Sequence, residues 1–226
     1  MMKLESSMEE YLKPTEYCDY NHPSIIAKVK ELTKDDKTLK EKALSIFHFV
    51  RDQIKFMMVI ENDKASDTLI KGYGDCGTKT NLQVALLRAV NIPARLHVAS
   101  LSKQCIKGMV SNMLHSLAPK VIPYHPWCEC YLSEKWISCD TLLDKTLVDS
   151  LYQKGMLTNE EIQTIDWDGE NDLNTMTTWM LEDKGIYTSL DTIILEAEEN
   201  SKKHLVKLIN YLVKKSNKHT DKLRKQ

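Results

Sequence analysis

The order of patterns along this chain predicts one domain that mixes helices and strands. Three observations carry that expectation. Apolar residues recur at spacings of three and four over residues 38–56, and again just after Gly77, as they do on the buried face of a helix. Residues 94–100 (ARLHVAS) read as a strand. Residues 127–132 and 136–141, each opened by a tryptophan and joined by a short turn around Ser133 and Glu134, read as an antiparallel hairpin. The chain has 226 residues, 42% hydrophobic and 28% charged, which is ordinary globular composition and long enough for a substantial core.

Taken in order, residues 1–22 form a leader with turn residues Pro14 and Asn21 and little periodicity. A helix is expected from His22-Pro23-Ser24 to about Leu32, with Pro23 near its start, where a missing N–H costs nothing. The charged break at residues 33–37 separates it from the helix over 38–56, whose stripe is Leu39, Ala43, Ile46, Phe47, Val50 and Ile54. Residues 57–71 read as a short extended piece and a loop. A glycine cluster, GYGDCG over 72–77, leads into a helix with Leu82, Ala85, Leu86, Ala89 and Val90 on one face, ending at Asn91-Ile92-Pro93. Residues 101–123 read as a long loop with a helical turn. After the hairpin, helices are expected near 144–153 and 158–165, an acidic loop at 166–172, and a final helical run from about 190 to 215. No internal repeat or low-complexity linker divides the chain, so residues 1–226 are expected to form a single domain.

The net charge of −1 conceals a division. Residues 201–226 carry nine basic side chains and one acidic, and the other 200 residues carry 22 basic and 31 acidic. An acidic body argues against nucleic acid as the main partner. The basic end is expected to be a solvated helix face, with Leu205, Leu208, Ile209, Leu212 and Val213 as the stripe that docks on the core rather than on a membrane. No apolar run approaches the ~18–20 residues that span a bilayer. The first residues, MMKLESSMEEYL, lack an apolar run, so the expectation is a cytoplasmic protein. Its six cysteines are then expected to be mostly free thiols.

GYGDCG formally matches the dinucleotide-binding pattern G-x-G-x-x-G. The segment before it is a poor strand, however, and no acidic residue lies about 20 positions on to hold a ribose, so no cofactor is expected. The same turn suits a nucleophile. A cysteine in the first turn of a helix sits beside unpaired backbone N–H groups and the positive end of the dipole. Both are expected to lower the Cys76 pKa and favour thiolate, and the Cys76 N–H is placed to donate to an oxyanion. The bland alternative is a buried cysteine acting as a small hydrophobe.

A thiol catalyst needs a base, and the base needs an orienter. Strand alternation puts His125, Trp127, Glu129 and Tyr131 on one face, and Trp136, Ser138 and Asp140 on one face of the next strand. If Leu132 pairs with Lys135, Trp127 falls opposite Asp140 and these faces coincide. His125 is then the diagonal neighbour of Asp140, roughly 7–8 Å away between Cβ atoms, within reach of one hydrogen bond. A register shift of one would separate them. Taken singly, each of these residues is more simply a capping, edge or turn residue.

Two stretches carry a resemblance. GYGDCGTKTNLQVALLRAVNIPAR, residues 72–95, resembles the nucleophile segment of the transglutaminase-like superfamily, in which a glycine-flanked Cys runs into an apolar helix ending in Gly/Asn-Ile-Pro-Ala-Arg. HPWCECYLSEKWISCDTLLD, residues 125–144, is similar to that family's His-Ala-Trp-Val-Glu-Val-Tyr…Trp…Asp hairpin. The likeness covers about residues 38–143, leaving helical additions at 1–37 and 144–226. It implies a papain-like α+β fold, a Cys-bearing helix packed on an antiparallel sheet, and a triad of Cys76 as nucleophile, His125 as general base and acid, and Asp140 as orienter. Pro126, Cys128 and Cys130 depart from the family pattern. No motif marks the family's second oxyanion donor; Tyr73 and Asn62 are the side chains considered.

His125, Cys128, Cys130 and Cys139 invite a zinc reading, but Cys128 and Cys130 point away from His125 and lack the usual paired spacing, so no metal is expected and these cysteines are assigned to the core. The 166–172 loop lacks the glycine and glutamate positions of an EF-hand. His48 and His97 are read as structural. The expected activity is cysteine-dependent acyl transfer at an amide or peptide bond through a thioester. Hydrolysis is expected ahead of cross-linking, because nothing in the chain resembles the extra domains of the large calcium-dependent transglutaminases. Transamidation, a binding module on the same fold, and an interaction protein using its basic end are the alternatives. The expected partner is a peptide or amide substrate, with neither nucleic acid nor membrane.

Overall fold

The structure, a computed structural model, describes residues 8–59, 61–199 and 206–225. Helices α1 (Pro23–Leu32) and α2 (Leu39–Gln53) start where their caps dictate. His22 accepts from the Ser24 N–H ahead of Pro23 in the first turn of α1. In α2 the Thr38 Oγ1 accepts from the Glu41 N–H at 3.1 Å, and Glu41 reaches back to the Thr38 N–H at 2.8 Å, a reciprocal capping box. Strand β1 (Lys55–Phe56) then pairs in parallel with β2 (Tyr73–Gly74). Between them lies helix α3 (Ala65–Lys71), where a loop was expected. Seven residues are too few for an apolar period to show; the helix is closed by Gly72 in the left-handed region (φ 71°) and tied down by Ser66 bonding to Asp19.

Helix α4 (Cys76–Ala89) follows, then β3 (Ala94–Ser102), α5 (Asn112–Leu117), β4 (Val121–Leu132), β5 (Lys135–Ser138), α6 (Lys145–Gln153), β6 (Met180–Tyr187), α7 (Leu190–Glu199) and α8 (Val206–Arg224). The main sheet has the order β5-β4-β3-β6 and is antiparallel throughout. Strand alternation divides the interior. Leu96, Val98, Cys128 and Cys130 join a core built with α1, α2, α4 and α7, whereas Ala99, Leu101 and Trp127 join a second core with α6 and Leu223 of α8.

Two further segments differ from expectation. Strand β6 has no apolar alternation, since none of MLEDKGIY is buried at this sheet edge, and no strand pattern marks it in the sequence. Residues 158–165 form only one turn, in which the Glu161 carboxylate accepts from both the N–H and the hydroxyl of Thr158, before continuing without regular structure. The Tyr152 hydroxyl takes the Ile162 carbonyl that a longer helix would need. The last helix docks on the core, as its apolar stripe predicts at Leu212 and Val213. Leu212, Val213, Ser216, Thr220 and Leu223 of α8 are buried, and Asn217 exchanges two hydrogen bonds with the Met58 backbone, at 3.0 and 2.9 Å. Leu205, and the side chains of Leu208 and Ile209, lie outside the described residues.

Every residue of α4 from Thr78 to Arg88 is buried, polar ones included. Backbone carbonyls take their donors: Lys79 Nζ donates to Ile54 O (2.6 Å), Thr80 to Pro126 O (3.2 Å), Asn81 to Tyr17 O (2.7 Å) and Gln83 to Cys139 O (2.9 Å). Arg88 donates to Ala94 O, Lys13 O and Thr188 O. The helix is thereby fixed against all its neighbours, which sets the position of its first residue.

Candidate active site

Cys76 is that first residue. The turn that delivers it is built for close approach. A Cβ on Gly74 would collide with Thr78 Oγ1, so the turn closes this tightly only with glycine. Asp75 is the N-cap: its carboxylate accepts from the Thr78 N–H at 3.1 Å, and its own N–H donates to Thr78 Oγ1 at 2.9 Å. Among the described residues Cys76 is the one cysteine that is not fully buried. It opens onto a cleft of ≈ 290 Å³ whose walls include Asn62, Tyr124, Pro126 and, from α7, Ile193 and Ile194. Of the two side chains considered for a second oxyanion donor, Asn62 lines this cleft and Tyr73 does not.

The expected lowering of the Cys76 pKa is overturned. Burial pushes the thiol well above its ordinary value, and the adjacent Asp75 carboxylate acts in the same sense, outweighing the Gly77 N–H. The reason is local. The helix start that would have favoured a thiolate is already occupied by an anion, the capping carboxylate.

His125 lies on β4, fully within the protein, opposite Ala99 of β3. Burial lowers its pKa and the Asp140 charge opposes that. The hairpin register is the expected one: Leu132 pairs with Lys135, Tyr131 with Trp136, Cys130 with Ile137 and Glu129 with Ser138. The Cys139 N–H still reaches Cys128 O at 2.8 Å, but there the chain leaves β4: Cys139 bridges to Leu173, and the Asp140 N–H donates to Leu173 O. Asp140 is therefore buried beside the site but does not hydrogen-bond His125. It accepts instead from the Leu142 N–H (2.9 Å), the Thr175 N–H (3.1 Å) and the Thr175 hydroxyl (2.5 Å). His125 Nε2 is buried without a partner. The Asp140 charge acts on both Cys76 and His125, and of the β4 residues around His125 it is Tyr124 and Pro126 that wall the cleft.

Thr175 carries no sequence signal; only the return of residues 172–175 alongside β5 reveals it. Lys79 was likewise missed. It is wholly buried one turn from Cys76, and burial drives its pKa down to about 7 against the pull of Asp144 and Asp140. Cys128, Cys130 and Cys139 are core residues, with Cys139 and Cys130 sulfurs 3.8 Å apart. They face away from His125, as the strand alternation requires. His97 is held on both ring nitrogens, by Glu129 (2.8 Å) and Asp183 (2.7 Å). No helix among the described residues is long and apolar enough to cross a membrane.

Two solved structures are similar: a proposed cysteine protease from Cytophaga hutchinsonii, at 22% identity and TM-score 0.47 over 60% of this chain and 42% of that one; and a proposed protease from Parabacteroides distasonis, at 12% identity and TM-score 0.38 over 59% of this chain and 25% of that one. The chain thus spans less than half the length of each. No curated protein matches. The model of the transglutaminase-like superfamily matches residues 26–141, which include the α4 turn and the whole β4–β5 hairpin. The chain, with a mixed helix-and-sheet fold, belongs to the transglutaminase-like superfamily.

Proposed function

We propose that this protein is a cysteine-dependent acyl-transfer enzyme acting on an amide or peptide bond, with hydrolysis as its reaction. One observation carries the reading: Cys76, at the start of a helix buried from Thr78 to Arg88, opens onto a cleft walled by Tyr124 and Pro126, the chain neighbours of His125. With the thiol held up and the imidazole held down in pKa, the resting pair is neutral, so His125 must take the proton as sulfur attacks. Sγ bonds to the carbonyl carbon while the Cys76 N–H, unpaired at the helix start, and Asn62 donate to the oxyanion. The C–N bond then breaks, His125 protonates the leaving amine, and a thioester remains. Water, deprotonated by His125, releases the acid and restores the thiol. Asp140 stabilises the imidazolium through its charge.

The test is a peptide and amide library with intact-mass detection of acyl-enzyme. The expected result is an adduct on the Cys76 peptide, absent in Cys76→Ser, and neutral-pH alkylation by iodoacetamide that drops at least tenfold in His125→Ala. Alkylation unchanged in His125→Ala, with no adduct, would instead establish the second reading, a binding module without turnover. That reading is favoured by the missing His125–Asp140 hydrogen bond.

A further inference from the structure

His125 has no hydrogen-bond partner among the described residues, so something else must set the plane of its ring. The ring packed against it is Trp127, with centroids 6.4 Å apart and an interplanar angle of 29°. Trp127 is in turn fixed on two sides. Its Nε1 donates to Ser138 Oγ at 3.1 Å, and His97, its register partner on β3, lies flat against it at 4.3 Å and 13°. His97 is itself clamped across three strands. Its Nδ1 meets Glu129 of β4 at 2.8 Å and its Nε2 meets Asp183 of β6 at 2.7 Å. An ionised carboxylate only accepts, so both ring nitrogens must donate, and the ring is an imidazolium stacked on an indole.

We propose that His97 is a positioning residue for His125, acting through Trp127: the clamped imidazolium holds the indole, and the indole orients the base. Its catalytic meaning rests on the acyl-transfer reading, but its physical content does not. The charged groups facing His97 are Glu129 on β4, Asp183 on β6, and Arg95 on its own strand, which shares Glu129 through a 2.7 Å bond. The two carboxylates outweigh burial and hold the His97 pKa above the ordinary histidine value, while His97 in turn helps hold theirs down. The stack is therefore charged below that raised value and is lost as pH rises through it. One carboxylate then loses its donor and the indole loses its cation.

The experiment is a pH titration of the histidine ring protons by NMR on the intact protein, alongside the rate of Cys76 alkylation. The His125 resonance is expected to show a second step at the His97 titration, besides its own. His97→Ala should abolish that step, displace the His125 resonance and slow alkylation about fivefold. His97→Phe keeps a ring against Trp127 without the charge, so it should abolish the step while leaving the resonance near its wild-type position. Should His97→Ala not fold, Asp183→Asn at the exposed strand edge should move the step to lower pH. A His125 resonance and alkylation profile unchanged in His97→Ala, or a step unmoved in Asp183→Asn, overturns the inference. A step present in a protein that never forms an acyl-enzyme sustains the inference while refuting the proposed reaction; intact turnover with no step does the reverse.

Discussion

Removing the Arg224 guanidinium tests how the last helix supports the site. Arg224 is almost wholly buried and grips Asp144 with two bonds, Nε at 3.0 Å and Nη2 at 2.6 Å, while Nη2 also reaches Phe56 O at 2.6 Å. Asp144 in turn accepts from the Phe56 N–H at 3.0 Å. The pair thus clasps α8, the start of α6 and strand β1, which lies beside the Cys76 turn through β2. Truncating one member of a buried ion pair costs about 3–5 kcal/mol, because the other charge stays buried. Asp144 keeps the Phe56 and Leu147 N–H groups, the Thr146 hydroxyl and the nearby Lys79 charge. The low end, about 3 kcal/mol, is therefore expected for Arg224→Ala. In a chain of this size that is a Tm lower by roughly 6–12 °C. Urea unfolding followed by the fluorescence of the four tryptophans reads the loss directly. The pH dependence has a definite sign. Arg224 holds the Asp144 carboxyl well below the usual carboxylate range, so the stability it contributes is present above the unfolded value of about 4 and is lost as pH falls through the folded value. The deficit of Arg224→Ala should then be full at neutral pH and shrink below about pH 4. A loss under about 1 kcal/mol at pH 7 would refute the reasoning, since it would mean that solvent or another cation already satisfies Asp144.

Lys79→Met should alter the alkaline side of the stability curve. A lysine pushed down to about 7 opposes folding at and below that pH, and the penalty is relieved as pH rises toward its unfolded value near 10. Wild type should gain stability relative to Lys79→Met across that window, and parallel curves by urea titration would contradict the burial argument. Gly74→Ala forces a methyl onto Thr78 Oγ1 and should cost about 1–3 kcal/mol while disturbing Cys76 alkylation more than a remote substitution of equal cost. Gln83→Leu leaves the Cys139 carbonyl and the Thr141 hydroxyl without their partner and should cost about 1–3 kcal/mol by chemical denaturation. Finally, alkylation of Cys76 in the free protein should titrate above the ordinary thiol value of about 8.5; a midpoint below 7 would show that the helix start, not burial and Asp75, controls the sulfur.

The clasp and the His97 stack share a feature. Each couples the site to an element late in the chain, α8 through Arg224 and β6 through Asp183. The parts flanking the family-matched segment thus bear on chemistry located within it.

Local pattern determined a good deal by itself. Caps and spacing placed the starts of α1, α2 and α4 within a residue or two, because a helix start is settled by its own few donors and acceptors. The β4–β5 register followed from alternation and a two-residue turn, since a slip of one would have exposed Cys128 and Cys130. What tertiary structure alone decided is the electrostatics and the partners. Whether Cys76 gains or loses a proton depends on how deeply α4 is packed and on the Asp75 charge, and burial is a property of neighbours remote in sequence. Asp140 turned from His125 to Thr175 because residues 173–175 come back alongside it, a contact 35 positions away that no local spacing encodes. Strand β6 exists because β3 offers it an edge, where backbone pairing, not side-chain pattern, supplies the attraction.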